Sequence, residues 1–517
     1  MLNKVFREIP EELLVNDRKI FEGSINSDKV CNRNENGAYI NSIADQKDKL
    51  LSSVREAIIK CGLKDGMTIS FHHHFRDGDY IVNMVVEEIA KLGIKDITIC
   101  ASSLGDAHDP IGKYIEDGTI TGIQTSGVRG KIGEAISTGK LKKIAIIRSH
   151  GGRVRAIEEG EVHIDVAFIG APTSDSYGNA RGVGGKSDCG VLSYSMVDAK
   201  YADKVVVITD FLVDYPNFPP SISAVDVNYV VVVDEIGDPK KIVSNVIRLT
   251  SDPRELMMAD YCTRVMVNSP FFKDGFSFQT GGGGAALAVN LLLRPYLEDA
   301  GIKMSFALGG ITKPMCDLLE DGFVKCLVNA QAFDAGSIES VKNNPNHFEI
   351  STSQYANPRN KGALVNKLDF VILGALEVDV NFNVNVVTGS NGILRGAPGG
   401  HPDTAAGSKC SIIVAPLVRS RIPTICDRVV TVTTPGEVVD VVVTDYGIAI
   451  NPLRQDLIEA LKDSKLPIYT IEELRDMAYE MCGKPDELEF EDKVVAILES
   501  RDGSILDVIR KPKVYEL

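Results

Sequence analysis

The chain has 517 residues, 44% hydrophobic and 25% charged, the balance of a globular protein of two to four domains. Its 71 acidic side chains against 56 basic ones leave a net charge of −15, so a nucleic-acid partner would need a local basic stripe, and no long one is present. MLNKVFREIPEELL is too charged for a signal-peptide core, no run approaches the ~20 apolar residues of a membrane helix, and the ten cysteines include no C-x-x-C pair. These features predict a cytoplasmic α/β enzyme with no membrane span and no nucleic-acid partner.

In chain order, residues 1–50 read as an extended, loop-rich N-terminal arm. TISF (68–71) then predicts a strand, and DYIVNMVVEEIAKLG predicts a helix through the spacing of Ile81, Val85, Ile89 and Leu92. ITICASS, KIAIIRSHGG, VAFIGAP and KVVVITD follow as buried-type strands ending in small or polar residues. Apolar strands alternating with helices predict mostly parallel sheets covered on both faces. The order strand, turn, helix, Gly-Ile-Lys, strand recurs, with the triplets at Gly93 and Gly301, 208 positions apart. That repeat predicts two similar domains, over 51–238 and 239–517, divided near Asp238-Pro239, and it sets His72–Arg76 opposite Thr280–Gly284. KLKK (140–143) precedes its strand and so reads as a solvated edge away from the cleft.

Ligands of such sheets sit beyond the carboxyl ends of the strands, which selects the loops. Gly281, Gly282, Gly283 and Gly284 open a helix after a strand, a setting for a phosphate or carboxylate on backbone N–H groups, with neither a Walker A lysine nor a dinucleotide fingerprint. His72, His73, His74 and Arg76 can form a donor-rich carboxylate cradle or a solvated loop. A metal site is not expected there, because consecutive histidines do not converge readily on one ion. RSHGGRVR (148–155) offers Arg148, Ser149, His150 and Arg153 as a second carboxylate clamp. LEVDVNFNVN (376–385) reads as one alternating strand with Glu377 and Asp379 on one face. GAPGGHPDTAAG (396–407) holds His401, Asp403 and a Gly399-Gly400 turn able to present N–H groups to an oxyanion. No G-x-S-x-G elbow supports a hydrolase triad.

DVAFIGAPTSDSYGNARG, SFQTGGGGAALAVNLLL and FALGGITKPMCDLLEDGFVKCLVNAQAFD, in that order, resemble the two-domain coenzyme A transferases. GALEVDVNFNVNVVTGSNGILRGAPGGHPDTA followed by APLVRSRIPTI resembles one branch of them, the citrate lyase alpha subunits, and the likeness runs from about Arg55 to the C-terminus. The resemblance implies two α/β transferase domains with the active-site cleft between them. It implies transfer of acetyl-carrier plus citrate to citryl-carrier plus acetate, with acetyl-coenzyme A as an alternative donor. No cofactor would be covalently bound to this chain. Its partners would be an acyl carrier protein (the gamma subunit) bearing a phosphoribosyl-dephospho-coenzyme A arm, and a beta subunit that cleaves citryl thioester. By analogy, Gly281–Gly284 would face the coenzyme arm and Gly399-Gly400 the thioester, while His72, His73, His74, Arg76, Ser149, Arg153 and His401 would hold citrate. Many relatives carry a nucleophilic glutamate where this chain has Asn329, Ala330 and Gln331, and neither Glu339 nor Glu377 matches that motif. Direct attack by a citrate carboxylate through a mixed anhydride is therefore expected, with Gln331 as hydrogen-bond donor. A glutamate-dependent transferase or hydrolase and a non-catalytic scaffold are the alternatives.

Overall fold

The structure, a computed structural model, describes residues 49–243 and 250–513, so the expected arm over 1–50 lies almost wholly outside the described residues. From Leu50 onward the chain clusters as one compact unit. It is built on two large, mostly parallel sheets flanked by helices. The first has ten strands in the order Leu50–Leu51, Tyr229–Val232, Lys204–Thr209, Val166–Ala171, Thr68–Phe71, Ile97–Ala101, Ile120–Thr125, Ala145–Ile147, Phe490–Glu499, Ile505–Pro512. The second has nine: His347–Glu349, Leu327–Ala332, Phe306–Ile311, Ser277–Thr280, Phe370–Gly374, Cys410–Val414, Val441–Val443, Ile448–Ile450, Ile468–Tyr469. Valine and isoleucine dominate these strands, and helices cover both faces, so each sheet is the middle layer of its own core.

The 208-residue repeat is topological. Outward from Thr68–Phe71 and from Ser277–Thr280 the strands follow the same sequence of neighbours, three to one side before the chain crosses to the other. The chain order therefore switches at both of these strands, and each switch opens a crevice at the carboxyl ends. The glycine of each Gly-Ile-Lys triplet ends a helix in the left-handed conformation, Gly93 at φ 74° after Ile81–Lys91 and Gly301 at φ 63° after Gly284–Ala300. A second device also repeats. Asp175 accepts hydrogen bonds from the amides of Tyr177, Gly178 and Asn179, and Asp379 accepts them from Asn381 and Asn383, each closing a short hairpin. The 376–385 segment is thus not one alternating strand. It breaks into Glu377–Asp379 and Val384–Asn385 around a turn that the Asp379 carboxylate organises.

The expected division at 238/239 needs two corrections. Ile242 still packs in the first core, so that core extends past the expected boundary. At the other end, residues 490–512 return to the first sheet, where Phe490–Glu499 pairs in parallel with Ala145–Ile147. A strap from the second half also lies along the first. Leu394 N donates to Ser137 Oγ at 2.9 Å, Val128 N to the Gly396 carbonyl at 3.1 Å, and Gly399 N to the Ser126 carbonyl at 3.1 Å. This strap carries the Gly399-Gly400 turn into the crevice of the first sheet.

Candidate active site

The three consecutive histidines follow Thr68–Phe71 into the first crevice, and their side chains part. His72 turns inward, with Nε2 2.9 Å from Asp198 Oδ2. His74 is buried with Nε2 2.9 Å from the Gly170 carbonyl oxygen and packs edge-on against Phe75. His73 alone faces the other sheet. Ser102 Oγ accepts its backbone N–H at 2.9 Å and lies 2.7 Å from its Nδ1, an arrangement in which the hydroxyl donates to Nδ1 and the ring proton sits on Nε2. The expected cradle of three histidines is therefore corrected to one, because successive side chains leaving a strand point to different sides.

The His73 ring stacks on His150 at 5.5 Å and lies tilted against Tyr194 at 4.4 Å, and His150 and Tyr194 lie 4.8 Å apart. From the second sheet, Gln331 accepts the Tyr194 hydroxyl at 3.2 Å and is hydrogen-bonded to His73. The Tyr355 hydroxyl accepts from Gln279 Nε2 at 2.9 Å, and Gln279 is two residues before Gly281. The strap closes the group. The Gly399 carbonyl accepts His150 N–H at 2.8 Å, and a methyl on Gly400 would come within 2.5 Å of the Tyr355 hydroxyl. Gly399 has φ 52°, a left-handed turn that glycine adopts without strain, and it lies against the His150 ring. Gln331, Gly399, Gly400, His73 and the 149–153 loop thus meet at one place between the sheets. His150, Tyr194, Tyr355 and Gln279 complete it. Of these four, the sequence offered only His150, as one donor in a loop.

Behind the rings lies a buried scaffold. Arg153 donates to both oxygens of Asp198, at 2.9 and 2.6 Å, and to the Cys100 carbonyl at 3.2 Å. His72, Arg153 and Asp198 are one, three and four residues from His73, His150 and Tyr194, so this cluster fixes the elements that carry all three rings. Arg153 and His72 are thereby corrected from citrate ligands to internal supports. Burial opposes the charge on Asp198, yet Arg153 and His72 hold its carboxyl well below the usual range. His401 also leaves the ligand set, since Nδ1 meets Thr434 Oγ1 at 2.7 Å and Nε2 the Gly374 carbonyl at 3.0 Å. Ser149 caps the helix His150–Glu158 and donates to Asp403 at 2.8 Å. Arg76, at φ 54°, reaches across to the second half, donating to the Phe333 carbonyl at 2.7 Å and lying over the Phe333 ring. Gly282 and Gly283 are exposed, with open space where side chains would be, and Glu255 sits against Gly284. Glu377 is spent on Asn385 and the Val430 amide and lines a different cleft of about 550 Å³ beside Arg428, Tyr479 and Arg510.

Burial sets the charge state. It lowers His150 to about 3, with Arg153 adding to the effect, and His74 to about 4, with His72 adding. Burial alone brings His347 to about 4, and it brings His401 to about 4 against its bond to Gly374. His73 is lowered well below its ordinary value by burial and then by His150. Tyr194 and Tyr355 are pushed up by burial. The site near neutral pH is a set of uncharged donors. A stability consequence follows. These histidines bind protons in the unfolded chain below about pH 6.5 but not in the folded one, so stability is full above that pH and falls as pH drops toward their folded values. His74, His150, His347 and His401 each contribute a loss of roughly 2 kcal/mol between pH 7 and 5, opposed in part by Glu349, Asp403 and Asp440, whose carboxyls burial raises. Thermal denaturation should show Tm falling from pH 7 to 5. His347→Gln, away from the rings, should flatten the slope by about one proton; an unchanged slope refutes the assignment.

The model of the citrate lyase alpha-subunit family matches residues 47–512. The chain belongs to that family. It is 54% identical to the citrate lyase alpha chain of Klebsiella pneumoniae over 465 residues, 90% of this chain and 92% of that one. A Streptococcus mutans protein described as a citrate lyase alpha subunit, solved in complex with citrate, superposes with a TM-score of 0.91 at 52% identity, covering 99% of this chain and 100% of that one. An Escherichia coli O157:H7 acyl-CoA transferase shares the fold alone, with a TM-score of 0.52 at 17% identity over 78% of this chain and 88% of that one. The family makes the chain an enzyme subunit of the coenzyme A transferase type. Among the described residues no helix is long and apolar enough to cross a membrane.

Proposed function

We propose that the chain exchanges acetyl for citryl on a carrier thiol in the cytoplasm, with citrate itself as the attacking group. The observation that carries this reading is the uncharged cluster of His73, His150, Tyr194 and Gln331 facing Gly399-Gly400. The two acids flanking it, half-buried Glu349 and buried Asp403, are occupied: Glu349 accepts Leu192 N and Ser221 Oγ, and Asp403 accepts Ser149 Oγ and Gly151 N. With enzyme carboxylates engaged elsewhere, the ionised carboxylate of citrate supplies the nucleophile without a general base. Its oxygen attacks the acetyl thioester carbonyl, the C–S bond breaks, and the thiolate leaves an acetyl-citryl anhydride. The same thiolate attacks the citryl carbonyl and expels acetate. The chain's work is to hold both substrates together and to place donors where the oxyanion forms. The donor is an acetylated phosphoribosyl-dephospho-coenzyme A arm on a carrier protein, or acetyl-coenzyme A. The arm enters over Gly281–Gly284, and a separate subunit cleaves the citryl thioester.

Purified chain mixed with citrate and acetyl-coenzyme A should yield citryl-coenzyme A and acetate by mass spectrometry, with no oxaloacetate. Hydrolysis of acetyl-coenzyme A without citryl product would support the hydrolase alternative. Oxaloacetate release would place the lyase step on this chain.

A further inference from the structure

The C-terminal hairpin ends its outward strand at Glu499 and turns through residues 500–504 directly over the helix that begins with His150. Arg148 clamps Glu499 with two hydrogen bonds, at 2.5 and 3.0 Å. A side chain on Gly503 would meet the buried Arg155 guanidinium at 2.6 Å. Between these two contacts Arg501 points inward, with Nε 3.2 Å from Asp403 Oδ1 and Nη2 buried without a hydrogen-bond partner. Asp403 is fully buried and bridges three elements. It takes the Ser149 hydroxyl at 2.8 Å, the Gly151 amide at 2.8 Å, and the Arg501 guanidinium. Ser149 and Gly151 are the residues on either side of His150.

We propose that Arg501 is a positioning residue of the active site, holding the Asp403 carboxylate in the acceptor geometry that fixes the start of the His150 helix. Ser149 Oγ also accepts Gly152 N at 2.9 Å, so rotating Ser149 would free a second helix amide. The groups facing Asp403 are Arg501 from the hairpin, Tyr355 from the helix Thr352–Ala356, and Ser149 with the amide of Gly151 from the His150 helix. Of these Arg501 is the cation, and it counters the burial that raises the carboxyl. Removing that charge raises the carboxyl further and makes its protonation easier, and a protonated oxygen is a donor that turns away from Ser149 or Gly151.

The kinetic part of the test rests on the transferase reading, whereas amide exchange rests on geometry alone. Hydrogen exchange of full-length protein should be at least about tenfold faster over residues 149–155 in Arg501→Met than in wild type, as local opening of a helix start requires. Arg501→Lys, which keeps the charge, should restore most of the protection. Arg510→Met, on the same hairpin with its guanidinium on the Asp492 carbonyl, is the control and should leave exchange unchanged. In the acetyl-coenzyme A assay, Arg501→Met should lower kcat about 10–100-fold, the range for small misplacement of reacting groups. Its acid limb should move up by about one pH unit, and Lys should reverse that shift. If Arg501→Met does not fold, Asp403→Asn decides, since its amide offers one acceptor where two donors need one each. Wild-type exchange over 149–155 in both variants overturns the proposal, and so does an acid limb unmoved in Arg501→Met. Wild-type protein without transferase activity overturns the functional reading and leaves the exchange result to decide this one.

Discussion

His150→Asn is expected to lower kcat about 10²–10³-fold, the cost of removing one donor from an oxyanion site. The KM for acetyl-coenzyme A should stay within about threefold, because the ring faces the strap and Tyr194 and not the exposed glycine turn. His150 Nδ1 is buried without a partner, and burial keeps the ring neutral. A neutral ring has one N–H to give, the donor that a carboxylate and then a developing oxyanion, both acceptors, require in turn. His73→Asn should do similar damage, and the double variant should cost little more, since the stacked rings act as a unit. His74→Asn should instead lower Tm and leave kcat within a few-fold, because its ring is bonded to Gly170 away from the cleft. Equal kcat losses in His74→Asn and His150→Asn, measured at a temperature where both are folded, would refute the separation of roles.

That separation could not be seen in the sequence. The tripeptide at 72–74 presents three identical side chains, and only the packing of Gly170 and Asp198 around the crevice decides which one faces outward. Arg153 resembled a substrate clamp for the same reason. An arginine after a strand end has the right chemistry, and its carboxylate partner, Asp198, lies 45 residues away on a helix whose facing side the sequence does not reveal. The fold was far more legible. Continuous valine and isoleucine runs require burial on two faces, and the Gly-Ile-Lys triplets mark equivalent helix ends in the two halves. What the pattern could not carry was the exchange of segments between the sheets. The strap reaches Ser137 across 257 residues, and Arg148 reaches Glu499 across 351. Contacts of that span leave no periodicity, which is why the domain boundary and the role of the C-terminal hairpin escaped.

Gln331→Glu should raise the citrate KM about 10²-fold at pH 8 while leaving the KM for acetyl-coenzyme A nearly unchanged. Gln331 is 7% exposed, accepts the Tyr194 hydroxyl, and contacts His73. The substitution keeps shape and that acceptor, so Tyr194 stays in place, but on the proposed function it sets a carboxylate beside the bound citrate. Two like charges about 5 Å apart at an effective dielectric near 20 repel by about 3 kcal/mol, which is about 10²-fold in binding. Burial and the bound citrate both raise the introduced carboxyl, so its charged fraction falls as pH drops. The ratio of variant to wild-type KM should therefore shrink between pH 8 and 6. A ratio independent of pH would mean that shape, not charge, is at stake. The same variant tests the route of transfer, because it puts a carboxylate at the position where the resemblance to the coenzyme A transferases leads us to expect a nucleophile. Direct attack needs citrate and thioester bound together, so wild-type initial-rate plots should intersect, and digestion after acetyl-coenzyme A alone should show no acetyl adduct. If Gln331→Glu gives parallel plots and a trapped adduct while wild type gives neither, the amide at this position keeps the enzyme from forming an acyl intermediate. Parallel plots in the wild type would defeat direct attack, since an enzyme carboxylate outside this cluster would then have to carry the acyl group.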